Sequence, residues 1–491
     1  MAEWCSYKDR SGGNMSSVPV LMSMVAENNL DINNYLQKII NEFEVTGLHD
    51  IKAQEVVHVA SNKVFNSKAL GNIQNFNSVR VDSISITKLT DKRIIIAYRR
   101  TYPSSIYTGN IIVGDIVDEN IEFGPDYTFE STSLYGNISV VAVSNSRVLI
   151  KYQIGSSYAC KIIVGDINSN KTIEFGLAYF FNGENRSYNN SIVVLTESKF
   201  GILYVNNNPD ADNSYGKIKI ANILCDQSIN FSSEMVFESS DVGHISATKL
   251  SQNEIAVIHN LGKYIYSNVI KINNNSSIEI GKKSHFHIGD RTLFKIKICV
   301  LSNNKFIFLY SHSYNYGSYL CIGEIKDNQS IVYGSAVRVT ISHYTDVTIL
   351  NDNRVALNYC KNSNSTCGYV EYFTISDDNN LVSDSKYEYL SNEQTLNYCS
   401  IVSVTNSKVV IAFNHNNGQA LIVESVKPDA KDIGIALEDA IIGETARVLM
   451  SGSSNEFKEV NCGDKYVGLE RTVGHGISKN SIIVKPFWEV D

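Results

Sequence analysis

The sequence predicts an all-β protein built as a seven-bladed β-propeller, and three observations lead to that fold. One short pattern recurs seven times, and its copies close on a ring at intervals of 54, 52, 55, 51, 49 and 54 residues. Each copy is two Val- and Ile-rich stretches joined by a short polar turn, which is a hairpin signature. Further apolar stretches precede the next copy, so each unit of about 50 residues holds about four strands, as a propeller blade does. The closing rings are Tyr98, Tyr152, Tyr204, His259, Tyr310, Tyr359 and Phe413.

The strands follow one order within each unit. The hairpin of the first copy, SISITKLTDKRIIIAY, ends at Tyr98. A shorter fourth strand ends alike in three copies, as TFES (128–131), FFNG (180–183) and VFES (236–239). The third strands read NIIVGDI (110–116), KIIVGDI (161–167), KIKIANI (217–223), LCIGEI (320–325), YVEYFTI (369–375) and ALIVESV (420–426).

The seventh copy lacks a fourth strand, because ALIVESV runs directly into KPDAKD (427–432). A segment before the first copy, VHVASNKVFNS (57–67), reads like IEFGPDYTFES (121–131). We therefore expect the N-terminal segment to supply the outer strand of the last blade, which would pair an otherwise open edge. This organisation gives a propeller over 46–432. An open β-solenoid or two sandwiches are the alternatives.

Two appendages flank the predicted propeller. Residues 1–45 form an N-terminal attachment segment, in which 31–44 (DINNYLQKIINEFE) predict a helix with Asp31 as its cap and apolar residues on one face. That face would pack on the propeller, on a second copy or on a larger assembly. Residues 433–491 predict a small C-terminal β domain of short strands separated by glycines.

Composition argues against several classes of partner. The net charge is −8 and there is no large basic block, which disfavours nucleic acid. No stretch approaches about 18 uninterrupted apolar residues, so membrane insertion is not expected. The nine cysteines are unevenly spaced and include no CxxC pair, so reduced thiols are expected and no metal or cofactor is predicted. A bridge between Cys360 and Cys367, which flank one hairpin loop, is left open.

The loops between second and third strands differ between copies, whereas the turns between first and second strands are interchangeable. Binding residues concentrate on variable loops of a rigid scaffold, so the face with these loops is the expected working surface. It is rich in Tyr, Ser and Asn, a combination that suits proteins and sugars, although the tyrosines could instead brace neighbouring blades. The candidate binding residues are Tyr102, Tyr107, Tyr158, Tyr215, Tyr264, Tyr266, Tyr314, Tyr316 and Tyr319.

No catalytic residues are predicted, because no HExxH, G-x-S-x-G, P-loop or Asp-box motif occurs. Asp210 and Asp212 fit a solvated turn better than a calcium loop, since the closing Glu of such a loop is absent. A glycoside hydrolase or lyase is not excluded, because paired acids need only converge in space. The first candidates for such acids are Glu184, Asp241 and Asp290. Four histidines lie on or near the same face: His244, His259, His312 and His415.

The cadence GIAL…A..GE..RV…G within 434–452 resembles the compact domains that end many phage tail-fibre and baseplate proteins. The resemblance implies a receptor-binding or tail-fibre protein of a phage or phage-like contractile particle. Such a protein would fold in the host cytoplasm without a signal peptide and reside in the virion or an extracellular particle. It would recognise a bacterial cell-surface glycan or protein, contact other tail or baseplate subunits through its N-terminal segment, and assemble as a homotrimer. A structural interaction hub and a polysaccharide-degrading enzyme are the alternatives.

Overall fold

The computed structural model describes residues 70–425 apart from short gaps, together with separate strands from both ends of the chain. It divides into two compact units, Asn72–Val423 and the pair Met1–Gly71 with Glu424–Asp491. Among the described residues, no helix has the length and apolar character needed to cross a membrane. The gaps are 102–106, 133, 156–158, 184–186, 207–213, 289–292, 303, 313–316, 328, 341–344, 352, 361–367, 377, 391–397 and 416.

The larger unit is a seven-bladed β-propeller, as the sequence predicts, and each blade is an antiparallel sheet. Blade 1 contains Val81–Thr90, Arg93–Arg100, Thr108–Val117 and Asn120–Glu130. Blade 2 contains Ser139–Ser144, Arg147–Ile154, Ala159–Ile167 and an interrupted outer strand, Ile173–Phe175 with Tyr179–Phe180. Blade 3 contains Ser187–Thr196, Lys199–Asn206, Tyr215–Ile223 and Ile229–Phe231 with Met235–Glu238. Blade 4 contains Ile245–Ser251, Glu254–Leu261, Tyr264–Ile272 and Ile278–Ile280 with Ser284–His287.

The remaining blades complete the ring. Blade 5 contains Leu293–Ser302, Lys305–His312, Ser318–Ile325 and Ile331–Tyr333 with Val337–Thr340. Blade 6 contains Thr345–Asn351, Arg354–Cys360, Gly368–Ile375 and Leu381–Leu390. Blade 7 contains Cys399–Ser403, Lys408–His415, Asn417–Glu424 and Gln74–Asn77. The first strand of each blade contacts that of the next, and the first strand of blade 7 contacts that of blade 1.

An N-terminal strand closes the last blade, as expected, but the strand is Gln74–Asn77 and the assignment to 57–67 is wrong. Gly418 and Gln419 of blade 7 pair with Asn77 and Asn75. Both candidate segments end in Phe-Asn-Ser, at 65–67 and at 76–78, so the sequence pattern fits either. The difference shortens the predicted propeller of 46–432 to Asn72–Val423.

The strands around 57–67 belong to the second unit. Val56–Ala60 and Lys63–Asn66 join Ile40–Thr46, Asp432–Ala436 and Thr445–Met450 in a closed five-stranded barrel. The helix expected at 31–44 is therefore wrong over 40–44, where Ile40 pairs with Leu449, and 31–39 lie outside the described residues. Pairing with a strand about 400 residues later in the chain outweighs the helical preference of the local sequence. The unit also contains the strands Ser6–Lys8, Asn14–Ser16, Glu459–Val460, His475–Ser478 and Ser481–Ile483.

One aromatic contact recurs between blades and explains why the closing rings mark the repeat. Phe129 is the extra residue of a bulge between Thr128 and Glu130, and its ring lies 5.1 Å from that of Tyr152 in the next blade. The ring crosses Gly109, where an added Cβ would lie 2.5 Å from Phe129. The same arrangement joins Phe237 to His259, Tyr389 to Phe413 and Phe76 to Tyr98, at 5.7, 5.3 and 5.1 Å.

Hydroxyl groups satisfy the inner edges of the blades. The Ser191 hydroxyl accepts a hydrogen bond from the backbone N–H of Ala247 at 3.1 Å. Ser246 in blade 4 accepts one from Ile298 at 3.1 Å, and Thr348 in blade 6 accepts one from Ser403 at 3.1 Å. The edge of a strand without a neighbour otherwise leaves backbone N–H groups without hydrogen-bond partners. These side chains therefore link consecutive blades around the axis of the ring.

Candidate functional site

The candidate site consists of the closing rings and the side chains opposite them on the neighbouring strands. Residues opposite each other on neighbouring strands lie on the same face of the sheet. In blade 4, His259 of the second strand lies opposite Tyr266 of the third, which lies opposite His285 of the fourth. We call such a set of three residues, one each from the second, third and fourth strands, a ring row when its third-strand residue is also aromatic. The rows of blades 5 and 6 are Tyr310–Tyr319–Arg338 and Tyr359–Tyr369–Glu388.

Ring rows occur in three adjacent blades. Tyr266 stacks on His259 with ring centroids 5.9 Å apart, Tyr319 on Tyr310 at 5.1 Å and Tyr369 on Tyr359 at 5.7 Å, with interplanar angles of 21°, 10° and 26°. In blades 1 to 3 the residues opposite the closing rings are Asn110, Lys161 and Lys217. The second aromatic ring therefore distinguishes blades 4 to 6 from blades 1 to 3.

Each ring row runs from a buried to an exposed end. The closing rings of blades 4 to 6 are buried, the tyrosines opposite them are half-buried, and the fourth-strand members are exposed. The rows face the cleft toward the preceding blade, since Phe237 packs on His259 and Phe286 lies 6.1 Å from Tyr310. The tyrosines lie near the start of their strands, beside the loops between second and third strands.

Cations lie over two of these tyrosines. The Lys283 ammonium is 4.5 Å from the centroid of Tyr266, and that of Lys386 is 4.6 Å from the centroid of Tyr369. A cation over an aromatic face contributes about 0.5–1 kcal/mol at an exposed site. The hydroxyl of Tyr369 donates to Glu388 at 3.0 Å. These contacts hold the rings of Tyr266 and Tyr369 in place.

Blade 4 has a further tyrosine and a further histidine beside its ring row. Tyr264 begins the third strand, opposite His287, and is 37% exposed. Its ring centroid lies 5.0 Å from His287, 5.5 Å from His285 and 6.1 Å from Tyr266. We call Tyr264, Tyr266, His285 and His287 the blade 4 site.

The buried carboxylate of Glu238 contacts both His259 and Lys283, which lie against Tyr266. The Nε2 atom of His259 lies 3.1 Å from Oε2 of Glu238, which also pairs with Lys283. Burial lowers the pKa of His259 to about 4, although Glu238 acts to raise it. Burial acts to raise the pKa of Glu238, but Lys283 and Ser240 outweigh it and bring that pKa to about 2. At neutral pH, a neutral imidazole therefore donates to an ionised carboxylate beneath Tyr266.

The structure brings together some of the predicted tyrosines. Tyr264, Tyr266 and Tyr319 lie in or beside ring rows. Tyr107 lies apart from them, with the Arg99 guanidinium 5.0 Å from its ring, and Tyr215 begins the third strand of blade 3. Four predicted residues lie outside the described residues: Tyr102, Tyr158, Tyr314 and Tyr316.

Sequence reasoning missed Tyr369, His285, His287, Arg338 and Lys386. Tyr369 follows Gly368 just as Tyr319 follows Ser318, so an alignment of third-strand starts carries the signal. The histidines and the two cations lie on fourth strands, whose register with the third strands cannot be read from the sequence. Their position beside the tyrosines is therefore visible only in the structure.

The acids and cysteines singled out from the sequence form no reactive cluster in the described part of the chain. Asp241 is exposed and accepts from the Ser214 N–H at 3.2 Å. No group of three or more His, Cys, Asp and Glu side chains among the described residues could hold a metal ion. Within the described residues, Cys225, Cys299 and Cys321 are free thiols. The acids at 184, 210, 212 and 290, and Cys367 of the possible bridge to Cys360, lie outside the described residues.

The other histidines named in the sequence analysis lie away from the blade 4 site. His312 is buried, with its ring 5.6 Å from Tyr310 and 5.7 Å from Tyr319. Burial lowers the pKa of His244 and of His415. The fold therefore distributes these rings among different blades, and only His259 lies beneath the blade 4 site.

Comparisons with known proteins give similarity of fold alone. No protein-family model matches the sequence, and no curated protein matches it. A protein from Lactobacillus plantarum is 9% identical with a TM-score of 0.44, over 68% of this chain and 96% of that one. BP39L lectin from Burkholderia pseudomallei is 6% identical with a TM-score of 0.47, over 75% and 98%. The intramolecular trans-sialidase from Ruminococcus gnavus is 11% identical with a TM-score of 0.40, over 72% and 97%. At these values the similarity carries no argument about function.

Proposed function

We propose that this protein binds carbohydrate through the ring rows of blades 4 to 6. The observation that carries the proposal is the presence of a half-buried tyrosine at the same position in three adjacent blades. A tyrosine offers a flat apolar face to the C–H groups of a sugar ring and a hydroxyl for its polar groups. The exposed polar residues at the outer end of each row supply further hydrogen bonds. Binding sites commonly combine an aromatic lining with a few polar groups in this way.

The rigidity of the rows favours binding. Each tyrosine is stacked on a buried ring, and the buried ring is held in turn by the preceding blade. Because the side chains are already ordered, little conformational entropy is lost when a ligand arrives. Modest affinity at each of three similar sites adds up when one ligand or one particle engages several at once.

The biological setting we propose is receptor binding by a tail-fibre protein of a phage or phage-like contractile particle. The C-terminal cadence within 434–452 supports it, as does the combination of a rigid ring with smaller terminal elements. In this setting the ligand is a bacterial cell-surface glycan. The terminal unit would attach the ring to other tail or baseplate subunits.

The test is retention of the full chain by bacterial cells and by polysaccharide extracted from them. We expect the triple variant Tyr266→Ala, Tyr319→Ala and Tyr369→Ala to lose at least tenfold in affinity, since a buried aromatic contact commonly contributes more than about 1 kcal/mol. Tyr387→Ala is the matched control, because Tyr387 lies between Lys386 and Glu388 on the same strand and points to the opposite face of the blade.

Three other outcomes would contradict the proposal. Release of reducing ends from the polysaccharide would indicate a polysaccharide-degrading enzyme. Retention by cells that survives removal of their polysaccharide would indicate a protein receptor. Failure of the folded protein to bind any cell material would favour a structural hub.

A further inference from the structure

The blade 4 site differs from the other ring rows in its hydrogen-bonding groups. No hydrogen bond from the described residues reaches the ring nitrogens of His285 or His287, and both side chains are exposed. The His285 ring contacts those of Tyr264 and Tyr266, and the His287 ring contacts that of Tyr264. The site therefore offers two imidazoles whose donors and acceptors are available to a ligand.

The charges around this site have one predominant sign. The segment GKKSHFH (281–287) contains two lysines and two histidines and no acid. Glu238 is the carboxylate that contacts this region among the described residues, and it is already occupied. It pairs with Lys283, lies 3.1 Å from His259 and accepts from the Ser240 N–H at 3.0 Å. Lys282, which precedes Lys283 in the chain, is exposed.

A metal ion fits this surface poorly. The two histidines supply two ligands, whereas catalytic zinc sites use three protein ligands and structural sites four. No third His, Cys, Asp or Glu joins them within the part of the chain that the structure describes. The Lys283 ammonium, 4.5 Å above the neighbouring Tyr266 ring, would also repel a cation. The surroundings favour an anion.

We infer that the blade 4 site binds a carboxylate-bearing sugar, an assignment that rests on the proposed function and names its ligand class. The sugar ring lies against Tyr264, the more exposed of the two tyrosines. Its carboxylate accepts hydrogen bonds from His285 and His287, and the lysines of 282–283 add favourable charge. Hydrogen bonds to an ionised acceptor are roughly twice as strong as those between neutral groups, so the carboxylate decides which sugar is held.

The experiment uses the full chain and three polymers, polygalacturonate, alginate and hyaluronan, each beside its carboxyl-reduced form. We expect at least one acidic polymer to bind at least tenfold more tightly than its reduced form. The double variant His285→Gln and His287→Gln should reduce that preference about tenfold. Both side chains are exposed, so the variant should fold. His415→Gln, in blade 7, is the matched control and should retain the preference.

Several results would overturn the inference. Equal binding of an acidic polymer and its reduced form would remove the role of the carboxylate and leave the proposed sugar binding intact. Failure of all three acidic polymers to bind would also overturn it, whereas loss of all binding to cells and extracted polysaccharide would overturn the proposed function as well. Equally tight binding of poly-glutamate would show that the site recognises charge without a sugar. Abolition of binding by EDTA would show that a metal ion is required.

Discussion

Replacement of His259 by tyrosine should remove much of the acid sensitivity of the ring between pH 7 and pH 5. Five blades have tyrosine at this position. In blade 1 the Tyr98 hydroxyl accepts a hydrogen bond at 2.8 Å from Asn77, the counterpart of Glu238. A tyrosine at 259 would therefore fill the same space and present its hydroxyl to Glu238. Unlike histidine, it does not titrate in this pH range.

The size of the effect follows from the pKa of His259, which is about 4 in the folded protein against an ordinary value of 6.5 for histidine. Because the folded pKa is the lower one, the unfolded chain binds more protons between these values, and the free energy of unfolding falls as the pH falls. At about 1.36 kcal/mol for each pKa unit, the loss between pH 7 and pH 5 is about 2 kcal/mol. The contribution is fully present above pH 6.5 and fully lost below about pH 4.

Urea unfolding at pH 7 and at pH 5 measures this loss. The unmodified protein and His259→Tyr are compared, so that the other histidines cancel. Glu238 does not interfere, since its pKa of about 2 against 4.5 places its own loss of stability below this window. His285→Gln, which removes an exposed histidine, should lose as much stability as the unmodified protein. An equal loss in His259→Tyr would refute the reasoning.

Three further substitutions test other parts of the ring. Gly216→Ala should lower the free energy of unfolding by about 2 kcal/mol, because its Cβ would lie 2.7 Å from Phe237; unchanged urea stability would show that the bulge adapts. Asp346→Asn should lower the free energy of unfolding by about 1–3 kcal/mol, because Lys297, 2.5 Å from Asp346, then loses the carboxylate that it pairs with; a cost below 1 kcal/mol in the same assay would argue that water replaces the carboxylate. Lys151→Met should raise the melting temperature, because Lys151 is 5% exposed and burial lowers its pKa; a lower melting temperature would contradict this.

The number of blades could be predicted because each closing ring is buried by the preceding blade, so the physical contact and the sequence period coincide. Phe129 and Tyr152 illustrate this coincidence, since both lie in recognisable strand endings. The closing strand could not be fixed in the same way. Residues 65–67 and 76–78 read alike, and only pairing with Asn417–Glu424 separates them.

The candidate site could be predicted in part. Tyr264, Tyr266 and Tyr319 follow variable loops and stand out in the sequence. Tyr369 also follows a variable loop, but YVEYFTI (369–375) predicts a third strand, and the predicted binding residues come from the loops. His285 and His287 become neighbours of Tyr264 only through the register between third and fourth strands, which depends on bulges and breaks that local sequence does not encode.

The closure of blade 7 has a consequence for synthesis of the chain. Gln74–Asn77 leaves the ribosome long before its partner Asn417–Glu424, with about 340 residues between them. At about 5–20 residues per second, the strand waits roughly 20–70 seconds for the edge that it will cover. During that time the growing ring stays open on both sides, and the same strand of a neighbouring nascent chain fits the edge equally well. We therefore expect the spacing of ribosomes on the message and the rate of translation to affect the yield of correctly closed rings.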